Sequence, residues 1–393
     1  MEVAIRAVVL PAPTYVRGGS PLCPHTDLPS LGNGPLWRSA SPRRILDAEG
    51  SLRMKRLSVN LVSESAFMFK AEGVHSAFQN TLAMLEGRDD VEVRVNSARP
   101  CDILHAHNAG PLFFGLAPYY PGRRVLTAHV LTESYRGLTM GSRRTLLRNY
   151  LRSTYNMANL VLPVSPYVAR GLRAMGVVPP LRVIPNCVDR TRFQPDACLR
   201  ARGRALLKMD PGTPLVLGVG LTNPEKGVRE FVRVAAAVPE AAFVWVGGSS
   251  FSAFTKRVDD LPALLRAAPS CRFAGMFPFA HMPEIYNAAD VLLFPSMVES
   301  FGLAPLEAAA CGLPVIVRPL PVYQDLFEGV FVEADELHGF IASLRRLLSD
   351  SRHAAEMRGR SLALAARYDA RAVTDLLLDA YRELRERRGR GAA

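Results

Sequence analysis

Lysine is scarce in this chain. Five lysines stand against 43 arginines among 393 residues, a bias that fits a GC-rich coding sequence better than any chemistry. Six cysteines, at positions 23, 101, 187, 198, 271 and 311, include no CxxC pair and no paired spacing. They read as reduced thiols, several of them core-filling, and with the eight histidines they form no metal-ligand pattern. No apolar run approaches the ~20 residues that a membrane-spanning helix needs. No D-x-D triplet occurs, so a metal-dependent diphosphate site of that type is not expected. Zinc-finger spacing and aromatic RNA-binding signatures are missing too, which argues against nucleic acid as a partner despite the net charge of +12. No repeat of solenoid period is present.

What is present is enough apolar residue, 49%, to pack two large domains, more than one ordinary core for this length. Residues 1–53 carry seven prolines without sustained periodicity and read as a disordered leader, or as a mis-assigned start with Met54 the true beginning. From Arg56 short apolar runs alternate with helical stretches. Strands are expected at Leu57–Val62, Val91–Val95, Asp102–His107, Arg124–His129, Leu160–Val164 and Arg182–Ile184, with helices near 74–85, 142–158 and 166–175. A second series runs through Leu215–Gly220, Phe243–Val246, Arg272–Phe273, Val291–Phe294, Val315–Val317 and Val330–Val332. Such alternation implies α/β folding, with parallel sheets covered on both faces. The expected organisation is a first α/β domain over 54–190, a second over 191–368, and a long amphipathic helix in 369–393.

Open α/β sheets bind ligands beyond the carboxyl ends of their strands, so the loops there hold the candidate site residues. Gly73, in the first such loop, would let backbone approach a ligand; a plain turn is the alternative. His129 ends its strand and is either a core histidine or a site residue, while His105 and His107 read as packing. Lys226 closes the loop Gly218-Val-Gly-Leu-Thr-Asn-Pro-Glu-Lys-Gly227 and could pair with a phosphate, or simply lie on the surface. Val246-Gly-Gly-Ser-Ser250 and Met276-Phe-Pro-Phe279 are weaker candidates beside a nucleotide base. The richest stretch is Phe294–Pro314, FPSMVESFGLAPLEAAACGLP. Glu299 falls on a strand-to-helix loop and Glu307 about a turn into a helix over Leu303–Cys311. The amides of Phe301, Gly302 and Leu303 open that helix and can attract an anion.

The run Glu299-Ser-Phe-Gly-Leu-Ala-Pro-Leu-Glu307 resembles the E-x(7)-E signature of retaining glycosyltransferases of group 1, family 4 type. Ile184-Pro-Asn-Cys-Val-Asp-Arg-Thr-Arg-Phe-Gln-Pro195 resembles that family's crossing between domains, with Cys187 where glycine is usual. The resemblance implies the GT-B architecture, two Rossmann-like doubly wound domains facing a cleft, with the last helix crossing back to the first domain. It places His129 and Glu299 at the transferred sugar, Lys226 on the donor diphosphate and Glu307 on the nucleotide ribose. Phe301, Gly302 and Leu303 would then offer amides to sugar and diphosphate, and Gly73 would allow close approach. Leu221 stands where many relatives carry arginine. No cofactor is implied beyond the nucleotide-sugar substrate, and the metal-independent diphosphate would be neutralised by Lys226 and the helix amides.

Ser-Glu-Ser65, Gly-Val-His-Ser-Ala-Phe78, Asp-Ile-Leu-His-Ala-His107 and Thr-Ala-His-Val130 are similar to glycosyltransferases that build glucosyl- and galactosyl-diacylglycerols. Between Arg123 and Arg182 lie ten arginines and a single acid, Glu133. Within that span Tyr135–Tyr155 interleaves arginines with Leu146, Leu147, Tyr150 and Leu151, either a face for an anionic bilayer or an ordinary solvated one. The expectation is a hexosyltransferase using UDP-glucose or UDP-galactose on a diacylglycerol or glycolipid acceptor, cytoplasmic and peripheral on the inner face of the cell membrane. The alternatives are the same chemistry on a soluble acceptor such as a sugar phosphate, or a non-catalytic nucleotide-sugar or lipid-binding protein.

Overall fold

Two runs of buried, β-branched and leucine-rich strands build two separate parallel sheets in the computed structural model. It describes residues 44–46, 52–54, 56–63, 73–108, 110–129, 143–248 and 258–391. Within the leader, where the sequence predicts no regular structure, Arg44–Leu46 (β1) and Leu52–Met54 (β2) pair as a two-stranded sheet; the rest of the leader lies outside the described residues.

The first parallel sheet is made of β3 (Leu57–Val62), β4 (Val91–Val95), β5 (Ile103–Ala106), β6 (Arg124–Ala128) and β7 (Leu160–Pro163). Its spatial order is β4-β3-β5-β6-β7. Strands β5 and β7 are buried throughout, as strands covered on both faces must be. No strand forms at 182–184, contrary to expectation. That segment instead runs past β7 as a single-residue bridge, with the Arg182 and Ile184 amides donating to the Val161 and Pro163 carbonyls. The next rung would need an amide from Pro163 at the end of β7 to the Arg182 carbonyl, and proline has none to donate.

The second sheet contains β8 (Leu215–Val219), β9 (Ala242–Val246), β10 (Cys271–Gly275), β11 (Val291–Phe294), β12 (Val315–Val317) and β13 (Val332–Glu333). Its order is β10-β9-β8-β11-β12-β13. In both sheets the chain starts in the middle and winds outward in two directions, as doubly wound folds do. The reversal in the second sheet falls between β8 and β11, which pair in parallel at Val216–Val291 and Leu217–Leu292.

Residues Met54–Ala393 form one compact unit. One apolar cluster runs from Val164, Val168 and Leu172 of the first half to Phe301, Tyr323, Phe327 and Tyr368 of the second. The helix Ala370–Gly391 follows the second sheet yet lies on the first, where Leu377, Leu378 and Tyr381 pack with Val59, Leu61 and Val125. Its entry is fixed beside the other crossing, since the Val188 amide donates to the Tyr368 carbonyl and Ala370 returns a bond to Val188.

Candidate active site

The turn after β8 is shaped by close backbone approaches. Gly220 adopts φ +143°, its carbonyl accepts from the Trp245 indole at 2.9 Å, and a Cβ on Gly247 would lie 1.9 Å from the same oxygen. Asn223 then caps a short turn, Pro224–Lys226, by accepting from the Lys226 amide. Gly227 ends it at φ +72°, and a Cβ there would sit 2.2 Å from the Pro295 carbonyl oxygen. Only glycine fits so tight a left-handed contact. The β8 loop is thereby pressed against the β11 loop, and the Met297 amide donates to the Glu225 carbonyl at 2.7 Å.

This contact brings Lys226 Nζ to within 2.5 Å of Glu299 Oε1, and Ser296 Oγ donates to the same oxygen at 2.7 Å. Both charges are largely buried, so each offsets much of the other's desolvation. Beside them Gly302, at φ +101°, starts the helix Leu303–Ala310 without any side-chain cap. Pro305 contributes no amide, which leaves Leu303 and Ala304 as the donors of the first turn. A lysine and uncapped helical amides at the reversal point of a doubly wound sheet suit a phosphorylated ligand. Phe301 turns its side chain away into the core, edge-on to Phe327 and Tyr368, so its backbone alone faces this turn.

The helix Leu303–Ala310 is buried over most of its length and closes with paired bonds from Gly312 to Ala309 and from Leu313 to Ala308. Glu307 is therefore inside, 5% exposed, and accepts a 2.8 Å hydrogen bond from the Tyr286 hydroxyl. Burial pushes its carboxyl up to about 7, against the smaller opposing effects of that bond and of the Arg192 charge.

In the first half, His129 follows β6 and His107 follows β5. They stack with ring centroids 5.4 Å apart, and His107 Nδ1 lies 3.2 Å from His129 Nε2. His105 is a packed residue as expected, held by the Tyr381 hydroxyl and Thr127 Oγ1. His107 is packed as well, as expected, against His105 and Phe78, and its ring also bonds to His129. Burial lowers the His129 pKa to about 4 and that of His105 to about 3. Cys187, in place of the family's glycine, fills space among Asn80, Met84 and Leu377 at the rim of a cavity of about 30 Å³, and burial pushes its thiol up to about 12. Gly73 opens the helix Gly73–Glu86, while residues 64–72 of its loop lie outside the described residues, as do Ser249, Ser250 and 130–142 of the basic stretch.

The two halves meet where Ser165, capping the helix Pro166–Met175, donates to the Ser300 carbonyl at 2.8 Å, and where Arg170 pairs with Asp325. Among the described residues no hydrogen bond joins His129 to Lys226, Glu299 or Glu307; His129 pairs with His107, Lys226 with Glu299, and Glu307 with Tyr286. Sequence reasoning missed Ser296, Tyr286, Ser165 and the pairing of His107. Ser296 lies within the singled-out stretch and could have been weighed there; the others come from distant positions.

Two family models match the chain, one described as Glycosyltransferase Family 4 over residues 76–192 and one as Glycosyl transferases group 1 over residues 213–350. The chain is 28% identical over 297 residues to an alpha-galactosylglucosyldiacylglycerol synthase of Streptococcus pneumoniae, covering 71% of this chain and 76% of that protein. It is 26% identical over 277 residues to a processive diacylglycerol alpha-glucosyltransferase of Acholeplasma laidlawii, covering 68% and 81%. The structure of Anabaena HepE in complex with UDP-glucose superposes with a TM-score of 0.68 at 17% identity, over 84% of this chain and all of that one. That likeness shows the GT-B fold.

Proposed function

Since the chain belongs to the group 1, family 4 glycosyl transferases, we propose that it is a retaining enzyme that moves a hexose from a nucleotide sugar to a diacylglycerol or glycolipid acceptor. UDP-glucose and UDP-galactose are the favoured donors. The observation that carries the reading is the 2.5 Å pair of Lys226 and Glu299 beside the uncapped helix at Leu303. A donor diphosphate has the charge to draw Lys226 from its carboxylate and to accept the Leu303 and Ala304 amides. Glu299 is then free to face the anomeric carbon and stabilise its developing oxocarbenium charge. The bond from that carbon to the diphosphate breaks, and the acceptor hydroxyl oxygen bonds on the same face. Its proton passes to the departing phosphate oxygen. In this reading Lys226 and the helix amides neutralise the leaving group, and His129 and Glu307 position sugar and ribose.

The acceptor class is supported by the names of the two glycolipid-synthesising relatives and by the helix Arg143–Asn156. That helix turns Leu151 and Tyr155 inward but leaves Leu146 71% and Tyr150 42% exposed, beside Arg148 and Arg152. No helix among the described residues is long and apolar enough to cross a membrane. Peripheral contact of this basic face with an anionic inner leaflet fits the pattern.

The test is transfer of radiolabelled sugar from UDP-glucose, and separately UDP-galactose, into vesicles carrying diacylglycerol or its monoglycoside. Label in the lipid fraction should fall on the order of 100-fold or more in Glu299→Ala, the size expected when a transition-state charge loses its partner. Nucleotide release without lipid labelling would replace the acceptor with a soluble one or with water. No turnover of any nucleotide sugar, with donor still bound, would leave a binding protein.

A further inference from the structure

We infer that Ser165, in the first half of the molecule, is a positioning residue for the donor site in the second: its hydroxyl pins the Ser300 carbonyl and so aims the Phe301 amide at the transferred sugar. The role given to that amide rests on the glycosyl-transfer reading; the pin itself does not.

Each bond of the Ser165 hydroxyl has a single direction, because a carbonyl can only accept and a backbone N–H can only donate. Ser165 Oγ therefore gives its proton to the Ser300 carbonyl at 2.8 Å and accepts from the Val168 amide at 3.2 Å. The residue is fully buried, so bulk water does not compete for either bond. The second bond caps the helix Pro166–Met175, which sets the hydroxyl on a rigid element. Further along that helix Arg170 grips Asp325 of the helix Pro321–Phe327 with both terminal nitrogens, at 2.7 and 3.2 Å. The same partner helix sets Tyr323 against Gly302, where an added Cβ would lie 3.0 Å from the ring. The turn Ser300–Gly302 is thus held from both halves.

A pinned carbonyl fixes more than itself. The Ser300–Phe301 peptide is planar and trans, so its N–H points opposite to its C=O. With the carbonyl turned toward Ser165, the Phe301 N–H is turned away from the first-half helix. The Phe301 side chain is committed to Phe327 and Tyr368, and no backbone carbonyl among the described residues accepts the amide. In the chain it falls between Glu299, paired with Lys226, and the uncapped helix that starts at Leu303. An amide already held in its bound orientation loses little on meeting a ligand, whereas one free to rotate must first be ordered.

The dipeptide Ser-Phe occurs twice in the chain, at 250–251 and 300–301. Serine labelled with ¹³C at the carbonyl and phenylalanine labelled with ¹⁵N therefore give two correlations, and Phe251→Leu tells them apart by deleting one. Ser165→Gly removes the hydroxyl, although glycine is an N-cap nearly as good as serine. In this variant the Ser300–Phe301 correlation should move and the other stay. Ser165→Thr, which keeps the hydroxyl, should return it toward the wild-type position. The second arm measures binding of UDP-glucose or UDP-galactose, whichever the wild type takes, against UDP alone. Ser165→Gly should weaken the nucleotide sugar about 3- to 10-fold, the worth of one hydrogen bond, while UDP binding stays the same and Ser165→Thr restores the difference. A Ser300–Phe301 correlation unmoved in Ser165→Gly would overturn the pin. Equal weakening of UDP and nucleotide sugar, as a general loosening of the fold would give, would overturn the aim at the sugar. A moved correlation in a protein that binds no nucleotide sugar would uphold the pin and sink the reaction.

Discussion

Glu307 is the residue whose surroundings contradict its charge most strongly. Its carboxyl is buried, and burial lifts its pKa from 4.5 to about 7. The folded protein therefore holds this proton more tightly than the unfolded chain. The associated stability is fully present below pH 4.5 and is lost as pH rises from there to about 7. The Tyr286 hydroxyl works the other way, since its bond favours the ionised form. Replacing Tyr286 with phenylalanine should therefore cost little at pH 5 and about 1.5–3 kcal/mol at pH 8, the usual worth of a hydrogen bond to a charged group. Urea unfolding at the two pH values measures the difference, and an equal loss at both would contradict it. The Glu307 side chain was legible in the sequence as a motif position, but its isolation from water was not, because the tyrosine that serves it lies 21 residues upstream on another helix.

At the scale of elements, the contact between the β8 and β11 loops decides whether Lys226 and Glu299 meet. Gly227→Ala would bring a methyl group against the Pro295 carbonyl in a left-handed backbone conformation. It should destabilise the fold by more than about 1 kcal/mol and, by pushing the loops apart, weaken donor binding more than it weakens folding. Thermal shift with and without UDP-glucose separates the two, and a variant with normal donor-induced stabilisation would show that the contact is only structural. The helix Arg143–Asn156 carries the other element-scale expectation. Leu146→Glu, at a position 71% exposed, should leave the melting temperature unchanged. Combined with Arg148→Glu, it should lower binding to vesicles rich in anionic lipid by on the order of 1 kcal/mol per removed cation or more. Equal vesicle binding by the double variant would remove the membrane from this face. The periodicity of the helix was readable, with its ends at Arg143 and Asn156 close to the expected 142 and 158. Which arginines and leucines turn outward depends on what packs beneath it.

For the whole molecule, the helix Ala370–Gly391 joins the last residues of the chain to the first sheet. Leu378 is fully buried there, and Leu378→Ala should cost about 2–5 kcal/mol and lower the unfolding temperature of the first half together with the second. A calorimetric trace that resolves into two transitions with only one shifted would show the halves unfolding separately. By itself the sequence determined the class of fold and the order of elements, because strand and helix periods are local properties of the chain. It also determined the positions of Lys226, His129 and Glu299 on loops at strand ends, and of Glu307 on the helix after the last of these. The failed strand at 182–184 marks the limit of local reading, because the missing amide belongs to Pro163 on the neighbouring strand. Only the tertiary structure decided which of these residues touch. Lys226 meets Glu299 across 73 residues, Ser165 meets the Ser300 carbonyl across 135, and His105 meets Tyr381 across 276. Such pairings are set by winding order and by the packing of two sheets, and their energy appears only when distant segments leave water together.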